Sequence, residues 1–457
     1  MIVMKFGGTS VQDTTAIDRT AKIVRGKLGQ SPVVVVSAMS KVTDQLLAAA
    51  AAAGKGDRNT ALEITAALRK RHNDTATQLI GEAGAKLVHE RLGEEFTLLE
   101  DLLRGIAAVG ELTARSNDNV VSFGERMSSF MVAHAFQVRD IPAVHVDSRQ
   151  CLVTDENYMK AAPLFAETDA NLQKHVAPLV AGKQVPVMGG FIGATKSGIT
   201  TTLGRGGSDF TGAIVGAGLN AEAIEIWTDV DGMMTTDPRI CSEAKRIKTI
   251  SFEEAAELAY FGAKVLHPAT LLPAIQKNIP VYVLNSHNPT NPGTKIIAKA
   301  PRSKSLFKAI AAKKKTTIID VVATRMLLAH GFLRAVFEVF EKHRIPVDMV
   351  STSEVSISLT IDATEGIPAL VADLSKLAEV KAEANNAIIC MVGENIRSTP
   401  GIAARVFTAI HGINVRMISQ GASEINISFV ISEDQVGDCI KLLHKEFFSD
   451  ADPETFD

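Results

Sequence analysis

The chain opens on a short apolar run, Ile2 to Met4, that stops abruptly at Lys5-Phe-Gly-Gly8. The run reads as a buried strand, Thr9 and Ser10 as cap residues, and Val11 to Asp18 as the start of a helix. Pro32-Val-Val-Val-Val36 is a continuous β-branched run, as expected of a parallel strand covered on both faces. It exits into the polar stretch Ser37-Ala-Met-Ser-Lys-Val-Thr43. Residues 44–118 repeat Leu and Ala at spacings of three and four, which predicts a helical excursion, broken at Gly54-Lys-Gly-Asp57. Strand signals return at Ala143–Val146, Val185–Met188, Ala223–Trp227 and Val281–Leu284, alternating with helical ones. This alternation predicts an α/β domain with a mainly parallel sheet, in which ligands bind beyond the carboxyl ends of the strands.

Residues 286–305 change character. Pro289, Pro292, Gly293 and Pro301 are spaced by polar residues, and Lys313-Lys-Lys315 follows. The stretch reads as a linker, and the lysine run as a solvated face. An internal repeat comes next. Gly331-Phe-Leu-Arg-Ala-Val-Phe337 matches Gly401-Ile-Ala-Ala-Arg-Val-Phe407, Ile345-Pro-Val-Asp-Met-Val-Ser351 matches Ile413-Asn-Val-Arg-Met-Ile-Ser419, and Ser353-Glu-Val-Ser-Ile-Ser358 matches Ser423-Glu-Ile-Asn-Ile-Ser428. Each copy reads helix, strand, alternating strand, the pattern of a small βαββαβ unit. The boundaries expected are a catalytic domain over 1–298, a linker and entry strand over 299–321, and the two repeat domains over 322–387 and 388–457.

A length of 457 residues, with 46% hydrophobic and 22% charged residues, suits a globular chain of several domains. A net charge of -3 and 5% aromatic residues leave neither a basic field nor a stacking surface for nucleic acid. No apolar run approaches a membrane span, and Lys5 and Gly7 interrupt any leader-like apolar core, so neither membrane nor export is expected. Cys151, Cys241, Cys390 and Cys439 are scattered, which suggests neither a zinc site nor a disulfide framework and fits a cytoplasmic location.

The candidate chemistry lies where strands end. Lys5 with Gly7 and Gly8 offers a mobile cation and close backbone approach, as a phosphate cradle needs, although an ordinary βα turn has the same residues. Thr201-Thr-Leu-Gly-Arg-Gly-Gly-Ser-Asp209 places three glycines around Arg205, a turn able to present consecutive N–H groups to an anion. Arg205 can grip a carboxylate or phosphate by two bonds. Ser208 and Asp209 read as caps of a helix starting near Phe210. Trp227-Thr-Asp-Val-Asp-Gly232 leaves a strand with two acids and a glycine, which suits either nucleotide contacts or a pair of Asx turns. Phe261-Gly-Ala-Lys264 sets another lysine after a glycine. Ser122-Phe-Gly-Glu-Arg126 reads as a short polar turn at a helix start. Together these fit phosphoryl transfer, which depends on positioning and charge.

The string Lys5-Phe-Gly-Gly-Thr-Ser-Val11 strongly resembles the N-terminal signature of aspartate kinases. Ser122–Arg126, Leu203–Asp209, Trp227–Gly232 and Phe261–Pro268 resemble further motifs of that family in the same order, and the repeat resembles its paired ACT domains. The resemblance implies an amino-acid kinase fold followed by two ferredoxin-like ACT domains. It also implies transfer of the γ-phosphoryl group of ATP, with Mg²⁺, to the β-carboxylate of L-aspartate. Carried over by motif, Lys5 stabilises the transferring group and Asp209 organises the lysines. Glu125 holds the aspartate ammonium and Arg205 its α-carboxylate, assisted by Thr43 and Ser208. Gly7, Gly8, Ser37, Thr228, Asp229, Met234, Arg239 and Lys264 line the nucleotide site, Met234 replacing a tyrosine of some relatives. No metal-ligating side chain is assigned. Met326, Gly331, Phe332, Leu333, Asp348, Ser353 and Glu354 match effector positions of lysine-sensitive relatives. Leu328 and Ala329 replace polar residues there, so lysine is favoured with threonine as the alternative. The resemblance also implies a homodimer, or a dimer of dimers, through the ACT domains. The rival readings are another amino-acid kinase, acting on glutamate or acetylglutamate, and a catalytically silent amino-acid sensor.

Overall fold

The computed structural model describes residues 1–262, 268–323, 330–362 and 365–457. The chain falls into two compact units, Met1–Met233 with Val265–Ala300, and Met234–Lys264 with Pro301–Asp457.

The first unit begins with β1 (Ile2–Phe6), α1 (Thr14–Arg25) and β2 (Pro32–Val36). Four helices follow, α2 (Val42–Gly54), α3 (Arg58–Ile80), α4 (Glu82–Val109) and α5 (Ala114–Gln137). Then come β3 (Ala143–Val146), β4 (Val153–Thr154), α6 (Phe165–His175), α7 (Ala177–Ala181), β5 (Val185–Gly189), β6 (Ile192–Thr195), β7 (Thr200–Thr202), α8 (Gly207–Gly218) and β8 (Ala223–Thr228). The chain passes to the second unit for β9 (Thr249–Ser251) and α9 (Phe252–Tyr260), and returns for α10 (Leu272–Lys277), β10 (Val281–Asn285) and β11 (Thr294–Ile297).

Within the first unit the strands run in the order β3-β5-β2-β1-β8-β10-β11, parallel except for the β10–β11 pair. Every residue of β1 and β2 is buried, which is why both read as unbroken apolar runs. Phe6, Val34 and Val36 from the strands share one core with Leu46, Leu68, Phe96, Leu103 and Phe136 from α2–α5, so the helical excursion is packed structure. A small sheet, β4-β6-β7, lies beside this core in the same unit. The first helix starts later than its spacing suggests, because Gly8–Ser10 forms a turn of 3-10 helix and Asp13 accepts the Ala16 N–H as the cap. The polar stretch 286–305 holds a strand, β11, so it is not simply a linker.

The second unit continues with β12 (Phe307–Val322), α11 (Phe332–Lys342), β13 (Val350–Thr352), β14 (Ser356–Ile361), α12 (Ile367–Leu374) and β15 (Glu379–Gly393). It ends with α13 (Ile402–Ala409), β16 (Met417–Gln420), β17 (Asn426–Ser432) and α14 (Val436–Phe448). One antiparallel sheet runs β13-β14-β12-β15-β17-β16. The two repeats interlock in it. The second half of β12, Thr317–Val322, pairs with β14 and with the first half of β15. The first half of β12, from Phe307 to Lys313, pairs with the second half of β15, which in turn pairs with β17. The strand that enters the region therefore completes the repeat that leaves it. Register shifts at Lys313/Thr316 and Thr316/Ile318 mark the changeover, with Lys315 and Asn385 at φ 60 and 61. Residues 234–262 join this unit through specific contacts. Lys308 and Glu254 form a buried ion pair at 3.1 Å, Thr235 hydrogen-bonds His444 at 3.0 Å, and Arg246 pairs with Asp457.

Candidate active site

Adjacent strand exits of the parallel sheet build the site. The Gly7 N–H donates to Trp227 O at 3.0 Å, joining the ends of β1 and β8. The Ser37 N–H donates to Phe6 O at 3.1 Å and the Ser40 N–H to Gly8 O at 3.1 Å, joining β1 to β2. Packing there is close, since a Cβ on Gly8 would lie 3.0 Å from Ala38 O. The Ser128 hydroxyl donates to Ser37 O at 2.8 Å and fixes this exit against α5. Thr43 sits half-buried in the first turn of α2.

Lys5 is the centre. Its side chain is buried in a carboxyl-terminal position of β1, and its Nζ lies 2.7 Å from Asp209 Oδ1, an ion pair without aligned hydrogen-bond geometry. Asp209 belongs to the first turn of α8, where the exposed helix N–H groups favour negative charge. The helix starts at Gly207, earlier than the Ser208-Asp209 cap pattern suggests, because Gly206 takes φ 72 and caps it through the backbone. Ser208 is seated on the end of β5, where a Cβ on Gly190 would come within 2.8 Å of its Cα. Arg205 stands exposed on the turn before α8.

Glu125 is the chief departure from the sequence reading. It lies in the middle of α5, buried, rather than in a polar turn at a helix start. Within Ser122–Arg126 it is the Glu125 carboxylate that reaches the exit of β2; Arg126 pairs with Glu95 of α4, and the Ser122 hydroxyl donates to Asn119 O in its own helix. Glu125 Oε1 accepts the Ala38 N–H at 3.2 Å, and Oε2 is buried without a partner. Burial pushes the carboxyl up to about 8, opposed by the Ala38 N–H and the Lys5 charge. A buried carboxylate with an unoccupied oxygen is a ready acceptor for an ammonium.

Thr228 and Asp229 leave β8 in the same unit, with the Thr228 hydroxyl donating to Asp229 Oδ1 at 3.2 Å. Asp231 accepts from the Asn285 side chain at 2.8 Å. Met234 and Arg239 belong to the second unit, where Arg239 is held by Asp237 through bonds of 2.6 to 3.2 Å. Lys264 lies outside the described residues.

The expected effector positions lie in the second unit, except that Met326 is outside the described residues. Gly331 caps α11 at φ 86, Phe332 and Leu333 form its first turn, and Ser353 closes a tight turn onto Ser356, leaving Glu354 exposed. Asp348 is already engaged. Its buried Oδ1 accepts from Lys313 Nζ at 2.7 Å and from the Tyr260 hydroxyl at 2.8 Å, while Oδ2 is buried without a partner. Lys313 also pairs with Asp362 at 3.0 Å and lies over the Tyr260 ring at 5.1 Å. The lysine run is therefore not a uniformly solvated face: Lys313 is half-buried against these partners, while Lys314 and Lys315 stand exposed at the register shift, where Lys315 takes φ 60.

An amino acid kinase family model matches residues 1–285, and an ACT domain model matches 319–372 and 389–447. Across 98% of its length the chain is 40% identical to chloroplastic aspartokinase 3 of Arabidopsis thaliana, covering 81% of that protein. It is 36% identical to lysine-sensitive aspartokinase 3 of Escherichia coli K12, covering 98% of this chain and 99% of that protein. The chain belongs to the aspartokinase family. The structure of E. coli aspartokinase III in complex with aspartate and ADP matches with a TM-score of 0.86 at 35% identity, covering 98% of this chain and 100% of that one. The same enzyme with lysine and aspartate matches at 0.84. As an aspartokinase the chain phosphorylates the β-carboxylate of L-aspartate, the first step of lysine, threonine and methionine synthesis, and is regulated through its ACT region.

Against that activity, sequence reasoning missed Gly190 and Gly212, which bring α8 onto the sheet. A Cβ on Gly212 would lie 3.2 Å from Lys5 Cβ. The Gly-Gly pair after Val185–Met188 and the small residues recurring along α8 were the available signals.

Proposed function

We propose that the Lys5–Asp209 pair is the phosphoryl-transfer centre and that the acceptor aspartate lies between Glu125 and Arg205. The observation that carries this reading is the pair itself, a cation and an acid at 2.7 Å where the ends of β1 and α8 meet. Lys5 lies where negative charge builds as the phosphoryl group moves, and Asp209 holds the ammonium in place without neutralising the whole site. Gly7, Gly8, Ser37, Thr228 and Asp229 of the first unit supply backbone and polar contacts for the nucleotide. The unpartnered Glu125 oxygen takes the aspartate ammonium, and Arg205, with Thr43 and Ser208, takes the α-carboxylate. The β-carboxylate is ionised at neutral pH and attacks without a general base.

ATP brings Mg²⁺ in this reading. Among the described residues no group of three or more His, Cys, Asp or Glu is placed to hold a metal. At kinase sites Mg²⁺ keeps several waters and is held by substrate phosphates with one or two carboxylates. The ion would screen the meeting of two anions, and no step here runs through a protein-held metal.

The ACT region binds the feedback amino acid in this proposal, lysine ahead of threonine, at Gly331, Phe332, Leu333, Asp348, Ser353 and Glu354 with Met326. The buried, half-satisfied Asp348 supports it, as does the lysine-bound relative. A homodimer, or a dimer of dimers, forms through this region. The functional boundaries are those of the sequence reading, 1–298, 299–321, 322–387 and 388–457. A reducing compartment, the cytoplasm, fits four buried, unpaired cysteines. Among the described residues no helix is long and apolar enough to cross a membrane.

The test is a coupled ADP-release assay with L-aspartate, L-glutamate, N-acetylglutamate and no acceptor. Release only with aspartate, at a raised aspartate KM but an unchanged ATP KM in Arg205→Lys and Glu125→Gln, supports the proposal. Release with glutamate or its acetyl derivative, or none at all, overturns the acceptor assignment.

A further inference from the structure

Asp118 lies in α5, fully buried, and among the described residues no cation pairs with it. Three donors converge on its carboxylate. The Thr202 hydroxyl donates to Oδ1 at 2.6 Å, and the N–H groups of Thr202 and Met159 donate to Oδ2 at 3.0 and 2.9 Å. Thr202 is the last residue of β7, two residues before the turn that carries Arg205. Met159 sits at φ 69 in the 155–163 loop, which is strapped to β7 by the Ala161 N–H bond to Thr202 O at 3.0 Å. The Arg205 turn rests on this loop. Gly204 has φ 77, and a Cβ there would lie 2.9 Å from Met159 O. In the other direction, Glu125 follows Asp118 by seven residues, two turns along the same face of α5.

One carboxylate thus joins the helix that carries Glu125 to the strand and loop that seat Arg205. We propose that Asp118 is a positioning residue that sets the separation of Glu125 and Arg205, and through it the grip on the α-ammonium and α-carboxylate of the acceptor amino acid. This rests on the roles proposed above for those two residues. A shift of about 1 Å in either group is enough to cost up to about 100-fold in productive binding.

The experiment measures KM for L-aspartate and KM for ATP. Asp118→Ala removes all three acceptor contacts and leaves the N–H groups of Thr202 and Met159 without that partner. Its KM for aspartate should rise about tenfold or more, with KM for ATP within about twofold. Thr202→Val, which removes only the hydroxyl donor, should raise the aspartate KM less. Leu68→Ala, in the buried interior of α3, provides a destabilised comparator that should leave both KM values in place. If Asp118→Ala does not fold, Thr202→Val decides alone. Unchanged aspartate KM in the folded variants, or equal changes in Leu68→Ala, overturn the proposal. Arg205→Lys separates the two levels of the argument. If it also leaves aspartate KM unchanged, the assignment of Arg205 fails and the positioning role falls with it.

Discussion

The Glu125 carboxyl gives aspartate binding a pH dependence whose sign and size follow from the structure. Burial holds the group up to about 8, and its free oxygen can receive an ammonium only when ionised. From that value about 3% of the free enzyme is ionised at pH 6.5 and about three quarters at pH 8.5. The apparent KM for aspartate scales inversely with the competent fraction, so it should fall about 25-fold over this interval. KM for ATP should change far less. Binding of aspartate near pH 6.5 should release close to one proton, read by calorimetry in buffers of different ionisation heat. Glu125→Gln removes the titrating group, so its aspartate KM should be higher and flat across the same range. A flat wild-type profile, or an unchanged slope in Glu125→Gln, would refute the reasoning.

Two other perturbations follow from close packing and buried charge. Gly190→Ala puts a methyl group 2.8 Å from Ser208 Cα and should cost about 1–3 kcal/mol in thermal unfolding, with a fall in kcat as α8 moves; full stability would show the contact to be loose. Lys313→Met leaves the buried Asp348 carboxylate with only the Tyr260 hydroxyl and should destabilise the C-terminal unit by about 2–4 kcal/mol. Because Lys313 already occupies the carboxylate proposed for the effector ammonium, that variant should also be inhibited at lower lysine concentration, and an unchanged inhibition curve would argue against the shared carboxylate.

The parallel strands were legible because burial on both faces leaves an unbroken apolar run, as in Pro32–Val36 and Val185–Met188. The ACT repeat was legible because its matched blocks come in one order. Glu125 was placed wrongly because the buried face of α5 it shares with Asp118, Ser122, Ser128 and Ser129 is polar, and a polar run inside a helix has the signature of a turn. The α8 start was set late because Gly206 caps through φ 72 and offers no side-chain signal. The sharing of β12 and β15 between repeats depends on long-range pairing, which local pattern does not encode. The Asp348 pair was hidden for the same reason, since its partners stand 35 and 88 residues away.

The most direct measurement is acyl-phosphate formation from ATP and L-aspartate, trapped with hydroxylamine, for wild type and Lys5→Met. Methionine keeps the stem of a side chain that Gly212 packs against and removes only the cation. The account predicts trapped aspartyl product for the wild type and a loss of about 10²–10³ in kcat for the variant, with its circular dichroism unchanged. A folded Lys5→Met enzyme that turns over within a few-fold of wild type would contradict the placement of phosphoryl transfer at the Lys5–Asp209 pair.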